Sequence, residues 1–284
     1  MASGIGPSAQ LAALDIPVVS DLPGVGQNLQ DQPFFALQYQ TSLPTASQLA
    51  TNTTLAADAV EQYLTNQSGI LSSPGYFYLG AEKMPAVLTS GLSNSTKAFL
   101  DSFPVDWPAF FYNGANAGLL GVPASETADF YSIAVAVQAS KSRGNVTISS
   151  PDTSINPIVT LPWLGTQEDQ EIAVMALRRG RQLAIATGSM PSDEYYPGSN
   201  VTSDGDILSF LQQTMQPIYH PASTCKMGTS NDSMAVVDSH ARVLGVTGLR
   251  VVDSSALPFL PPGFPQALVY ALAEKIAEDI TSGR

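Results

Sequence analysis

Apolar positions recur with a helical period in four places along the chain. Residues 55–64 and 95–102 read as short helices, and residues 166–187 as the longest one. Thr166 can cap that helix with Asp169 three residues on, acids cluster in its first turn, and Gly188 stops it. Near the end, Leu268, Leu272, Ile276 and Ile280 recur every fourth residue and predict a final helix with one narrow buried stripe. Strand-like runs lie at 131–139, 145–149 and 158–161, expected to pair across turns at 141–144 and 150–156. The opening, residues 1–33, is broken by glycine and proline and predicts turns around one short strand at 16–19. Short β-type runs at 236–237 and 249–252 flank a turn at 245–248, and four prolines fall within residues 258–265.

Composition narrows the class. The 284 residues are 44% hydrophobic and 13% charged, which suits a globular protein of about two domains. A net charge of -12 argues against nucleic acid, whose phosphates such a surface repels. No run reaches the roughly 18 apolar residues of a membrane span. A single cysteine, Cys225, excludes an internal disulfide framework. Six Asn-X-Ser/Thr triplets, at Asn52, Asn66, Asn94, Asn145, Asn200 and Asn231, point to a glycosylated, secreted protein. Residues 1–13 do not resemble a signal segment, so such a signal is expected to lie upstream.

Two glycine patterns imitate a dinucleotide cradle. Gly4-Ile5-Gly6-Pro7-Ser8-Ala9 matches G-x-G-x-x-A formally, and Gly24-Val25-Gly26 begins a near match. Neither sits between a recognisable strand and a helical pattern, so both are expected to be turns. The two histidines lack metal-ligand spacing, and no metal site is expected. Asp238, Ser239 and His240 adjoin but cannot form a triad as strand neighbours; His240 reads as a surface residue.

His220 lies in Pro217-Ile218-Tyr219-His220-Pro221-Ala222-Ser223-Thr224-Cys225-Lys226-Met227-Gly228. This resembles the H-P-x-G/S-T-x-x-M-G stretch of the glucose–methanol–choline (GMC) oxidoreductases. The resemblance continues through Gly248-Leu249-Arg250-Val251-Val252-Asp253-Ser254-Ser255 and Ala273-Glu274-Lys275. It also takes in Ser3-Gly4-Ile5-Gly6-Pro7 and Asp21-Leu22-Pro23-Gly24-Val25-Gly26-Gln27-Asn28-Leu29-Gln30-Asp31, all in family order. The Pro-rich loop and final helix look most like fungal members, the aryl-alcohol oxidases and enzymes of polyketide pathways.

The resemblance implies an α+β fold. Residues 34–216 would form an antiparallel-sheet substrate domain flanked by helices. Residues 1–33 and 217–284 would be the connecting and C-terminal pieces of a Rossmann-like FAD domain whose N-terminal half is absent here. It also implies FAD-dependent oxidation of a small alcohol, with hydride passing to flavin and the hydroxyl proton to His220, and Tyr219 helping to exclude water. Family members place a second His or Asn where Phe264 stands; phenylalanine neither accepts a proton nor donates a hydrogen bond, so Phe264 is a degenerate partner position. Asp253, Ser254, Pro265 and Gln266 would line the flavin. A complementary flavin-domain polypeptide is an expected partner. The alternatives are a non-redox cyclase-type enzyme and a non-catalytic fragment.

Overall fold

The computed structural model describes residues 1–123, 127–188 and 193–283. The first half of the chain forms β1 (Ile5–Gly6), α1 (Ser8–Ala13), β2 (Ser20–Asp21), β3 (Gln27–Leu29), β4 (Pro33–Thr41), α2 (Thr53–Asn66), β5 (Tyr76–Glu82), α3 (Ala86–Thr89), α4 (Asn94–Asp101), β6 (Phe110–Ala115) and β7 (Asp129–Val137). The second half forms β8 (Gly144–Thr147), β9 (Ile158–Thr160), α5 (Gln167–Ala186), β10 (Glu194–Tyr196), α6 (Asp204–Thr214), β11 (Gln216–Pro217) and α7 (Gln266–Thr281). These divide into two compact units, Pro33–Ser140 with Thr166–Gln216, and Met1–Gln32 with Lys141–Gly165 and Pro217–Arg284.

The first of these units is an antiparallel sheet of order β10-β4-β7-β6-β5 with helices packed on it. β4 and β7 pair in unbroken register from Phe34↔Ala136 to Thr41↔Asp129, and Phe35, Leu37, Phe110, Phe130, Ile133 and Val135 are buried. α5 lies against the sheet through Ile172, Ala173, Ala176 and Leu177. A Cβ at Gly180 would come within 2.9 Å of Leu37 Cδ1 and 3.0 Å of Val135 Cγ2, so the helix can approach this closely only over glycine. Its start is capped by Thr166, whose hydroxyl accepts the Asp169 N–H at 3.2 Å. Arg179 and Arg181 then reach opposite sides of the helix. The first forks onto Glu82 of β5 (Nη2–Oε1 2.6 Å) and the second onto Glu194 of β10 (2.7 Å), tying both edge strands to α5.

The expected helices at 55–64 and 95–102 are present as α2 and α4, capped by Asn52 and Ser93. The expected strand at 131–139 is β7, but it pairs with β4 and β6 and not with the segment after residue 144. That segment, β8, pairs with β9 across the turn at 150–156 as expected, and on its other side with β3. Residues 141–165 therefore group in one compact unit with the chain's two ends. The Val146 N–H donates to Gly26 O at 2.7 Å, and Gly144 lies so close to Thr160 that a Cβ would fall 2.0 Å from its carbonyl oxygen.

In this second unit β1 and β2 are parallel, with α1 between them. The strand expected at 16–19 forms one step later. The Ile16 N–H is taken by Leu11 O at the end of α1, Pro17 has no N–H, and Val18 and Val19 face solvent. The opening is thus a small strand–helix–strand unit and not turns alone. Val236, Val237, Val243 and Ala256 form its core, against which Ile5, Leu22, Val25, Met227 and Leu272 pack.

The stripe on α7 is not uniformly buried. Ile276 is 1% exposed and Leu272 packs on the valine core, but Leu268 is 41% and Ile280 56% exposed. At 100° per residue a four-residue spacing drifts about 40° per step. The two ends of the stripe are therefore about 120° apart and cannot both face one core.

Candidate functional site

His220 sits in an irregular segment laid antiparallel to residues 30–32. Gln30 and Ala222 exchange both backbone hydrogen bonds (3.1 and 2.9 Å), and the Ile218 N–H donates to Gln32 O at 3.1 Å. Between them the His220 N–H finds the Asp31 carboxylate, at 2.9 Å from Oδ1, which also accepts the Gln32 N–H at 2.8 Å. Burial pushes the Asp31 carboxyl above its ordinary range, against the lowering effect of those two N–H groups. Tyr219 takes φ +64° and is 80% exposed, so within this unit it does not shield the imidazole as expected.

Downstream, the N–H groups of Ser223, Cys225 and Met227 donate to the carbonyls of Ser254, Ser255 and Ala256. This ladder brings the 253–256 segment beside the histidine segment, and Ser254 Oγ donates to Pro221 O at 2.8 Å. Asp253 accepts from Ser255 N (2.8 Å) and Ser255 Oγ (2.5 Å), capping a short 3-10 turn. The Pro-rich loop is held by the same 30–32 stretch. The Leu260 N–H donates to Gln30 Oε1 at 3.1 Å, and Gln32 Nε2 donates to Pro261 O at 3.0 Å.

These two anchored loops bring His220 and Phe264 together. Their ring centroids are 5.4 Å apart with the planes at 90°, an edge-to-face pair between residues 44 positions apart in sequence. His220 is half-buried, and burial lowers its pKa from the ordinary histidine value. Its Nδ1 lies 2.8 Å from Gln32 Oε1. A neutral imidazole so held is suited to accept a proton.

Pro265 and Gln266 lie one step beyond, where α7 begins. Pro265 is the N-cap, no side chain caps the turn, and no acidic residue lies in it. Its leading N–H groups give a positive end suited to an electron-rich group such as a reduced flavin. The glycine patterns fit no such role. A Cβ at Gly4 would meet Pro17 O at 2.3 Å and one at Gly26 would meet Val146 O at 2.1 Å. Both glycines are required because another stretch of the chain's own backbone passes close to them.

His240 is more than a surface residue. Its Nδ1 is 2.8 Å from Asp279 Oδ2, which also takes Lys275 Nζ at 2.9 Å. Sequence reasoning also missed Gln32. Three consecutive polar residues, Gln30, Asp31 and Gln32, each at most 8% exposed, precede an apolar strand, and that run was the available signal.

Residues 140–273 match the family model described as GMC oxidoreductase. The chain is 43% identical to patulin synthase of Penicillium expansum over 99% of this chain and 46% of that protein. It is 45% identical to dehydrogenase pkfF of Emericella nidulans over 100% and 47%. Among solved structures, a FAD-dependent oxidoreductase from Chaetomium thermophilum matches with a TM-score of 0.78 and 26% identity, over 99% of this chain and 52% of that one. The chain spans about half the length of the curated relatives it matches. The His220 segment, its paired 253–256 ladder and the Pro-rich loop all lie inside the matched residues, 140–273, which are a GMC oxidoreductase C-terminal region.

Proposed function

We propose that this chain supplies the base-bearing half of a FAD-dependent oxidoreductase acting on the CH–OH group of a small alcohol. The observation that carries the reading is the edge-to-face meeting of His220 and Phe264, brought together by loops anchored on residues 30–32. Bound FAD would supply the acceptor for the hydride lost by the carbinol carbon. His220 takes the hydroxyl proton, and the product is the corresponding carbonyl compound. Burial keeps the imidazole neutral to a lower pH than a free histidine, so the base is available near neutrality. Asp253, Ser254, Pro265 and Gln266 are the residues of this chain assigned to hold the flavin, the last two through the uncapped start of α7.

Phe264 fills a place from which a His or Asn would polarise the hydroxyl, and its ring can only pack. The flavin-binding half is assigned to a further polypeptide or segment that covers the exposed apolar residues Val19, Leu268, Tyr270 and Ile280. The similarity to patulin synthase supports a role in fungal secondary metabolism. Six glycosylation triplets support passage through the secretory pathway as a glycoprotein. Among the described residues no helix is long and apolar enough to cross a membrane.

The reading is tested by joining the chain to a flavin-binding half and measuring turnover on benzylic and allylic alcohols. Phe264→His should raise the rate, within the roughly 10²–10⁴-fold worth of a positioned acid–base group. An unchanged rate with flavin bound removes the degenerate-partner assignment and favours a non-redox, cyclase-type enzyme.

A further inference from the structure

We propose that Gln32 is a positioning residue that holds neutral His220 in its Nδ1–H tautomer and so leaves Nε2 as the bare, proton-accepting nitrogen. The inference rests on the reading of His220 as a base.

The argument begins at Pro261. Gln32 Nε2 lies 3.0 Å from the Pro261 carbonyl oxygen, and a carbonyl can only accept. The amide nitrogen must therefore face Pro261, since the flipped amide would set two acceptor oxygens against each other in a side chain only 3% exposed. With the nitrogen so placed, the atom facing His220 is Oε1, 2.8 Å from Nδ1. An amide oxygen also only accepts, so Nδ1 carries the proton. No hydrogen-bond partner occupies Nε2 among the described residues.

The geometry around this contact is fixed at both ends. The Gln32 N–H and the His220 N–H share the Asp31 Oδ1 acceptor, and Gln32 O takes the Ile218 N–H. The amide cannot swing away without breaking the tie to the Pro-rich loop that carries Phe264. One buried side chain therefore sets both the proton on the imidazole and the loop opposite it. Free imidazole in water favours the other tautomer, with the proton on Nε2. Without Gln32 the nitrogen needed for proton abstraction would be the one already protonated.

The chain has two histidines, so ring-¹⁵N-histidine labelling of the 284-residue protein reports on two imidazoles only, and His220→Gln assigns the signals. At a pH where His220 is neutral, its Nε2 should resonate as a bare, pyridine-type nitrogen and its Nδ1 as a protonated, pyrrole-type one. Gln32→Leu, close in size but without an acceptor, should switch His220 to the Nε2–H form. Gln32→Glu keeps an acceptor beside Nδ1 and should retain the native tautomer. An Nε2–H tautomer in the unsubstituted chain overturns the proposal, whatever the variants do. So does an unchanged tautomer in folded Gln32→Leu. If Gln32→Leu does not fold, the unsubstituted spectrum still decides, since it must show the Nδ1–H form. Because neither flavin nor substrate is present, a failure here is separate from a failure of His220 as base, which turnover measures.

Discussion

Glu194→Ala should be among the most damaging single changes in the sheet unit. The Glu194 side chain is 3% exposed, and its carboxylate receives Arg181 Nε at 2.9 Å, Arg181 Nη2 at 2.7 Å and the Tyr39 hydroxyl at 3.1 Å. Truncation leaves the guanidinium, 19% exposed, with only the carbonyls of Val201 and Gly198, and leaves the Tyr39 hydroxyl without its acceptor. Removing one partner of a buried pair costs about 3–5 kcal/mol, because the other charge remains out of water. Replacing both, as Arg181→Met with Glu194→Leu, removes the stranded charge and should restore most of the loss. Each unit contains one tryptophan, Trp107 in the sheet unit and Trp163 in the other. Urea melts read from Trp107 in a Trp163→Phe background therefore report on the sheet unit. A cost below about 1 kcal/mol for Glu194→Ala, or a double variant no better than the single, would refute the account of this pair.

On α7, Ile276→Ala should cost about 2–5 kcal/mol as a buried cavity, and Ile280→Ala should stay within about 0.5 kcal/mol. Trp163 fluorescence in a Trp107→Phe background checks both, and equal losses would restore the uniform stripe. The Asp279 carboxyl is held down to about 2, first by Lys275 and then by His240. A depressed carboxyl contributes stability above its ordinary value of 3.8 and loses it as pH falls toward 2. Acid melts of Asp279→Asn should accordingly lack part of the decline between those values seen in the unsubstituted chain.

Local signals carried much of the fold. Thr166, Asp169 and Gly188 mark the ends of α5 in sequence because a helix terminus is settled by its own neighbours. The pairing of β8 with β9 was readable across its short turn, but its pairing with β3 was not, since that is decided by contact with Gln27 and Leu29, more than a hundred residues earlier. The α7 stripe misled for a geometric reason, because residues four apart look equivalent until the drift accumulates over three steps. At the candidate site the motif brought His220, Asp253 and Phe264 forward. Gln32 stayed hidden because its importance comes from two partners, His220 and Pro261, on distant segments. Propensity says nothing about which polar residue in a loop will be buried between two others.

The central claim is that His220 is the proton acceptor of an alcohol oxidation. It is tested most directly by anaerobic single-turnover reduction of the flavin, with the chain joined to a flavin-binding half and mixed with a benzylic alcohol. The account predicts that His220→Gln slows flavin bleaching by roughly 10²-fold or more while flavin stays bound. Bleaching at the unsubstituted rate in His220→Gln would contradict it.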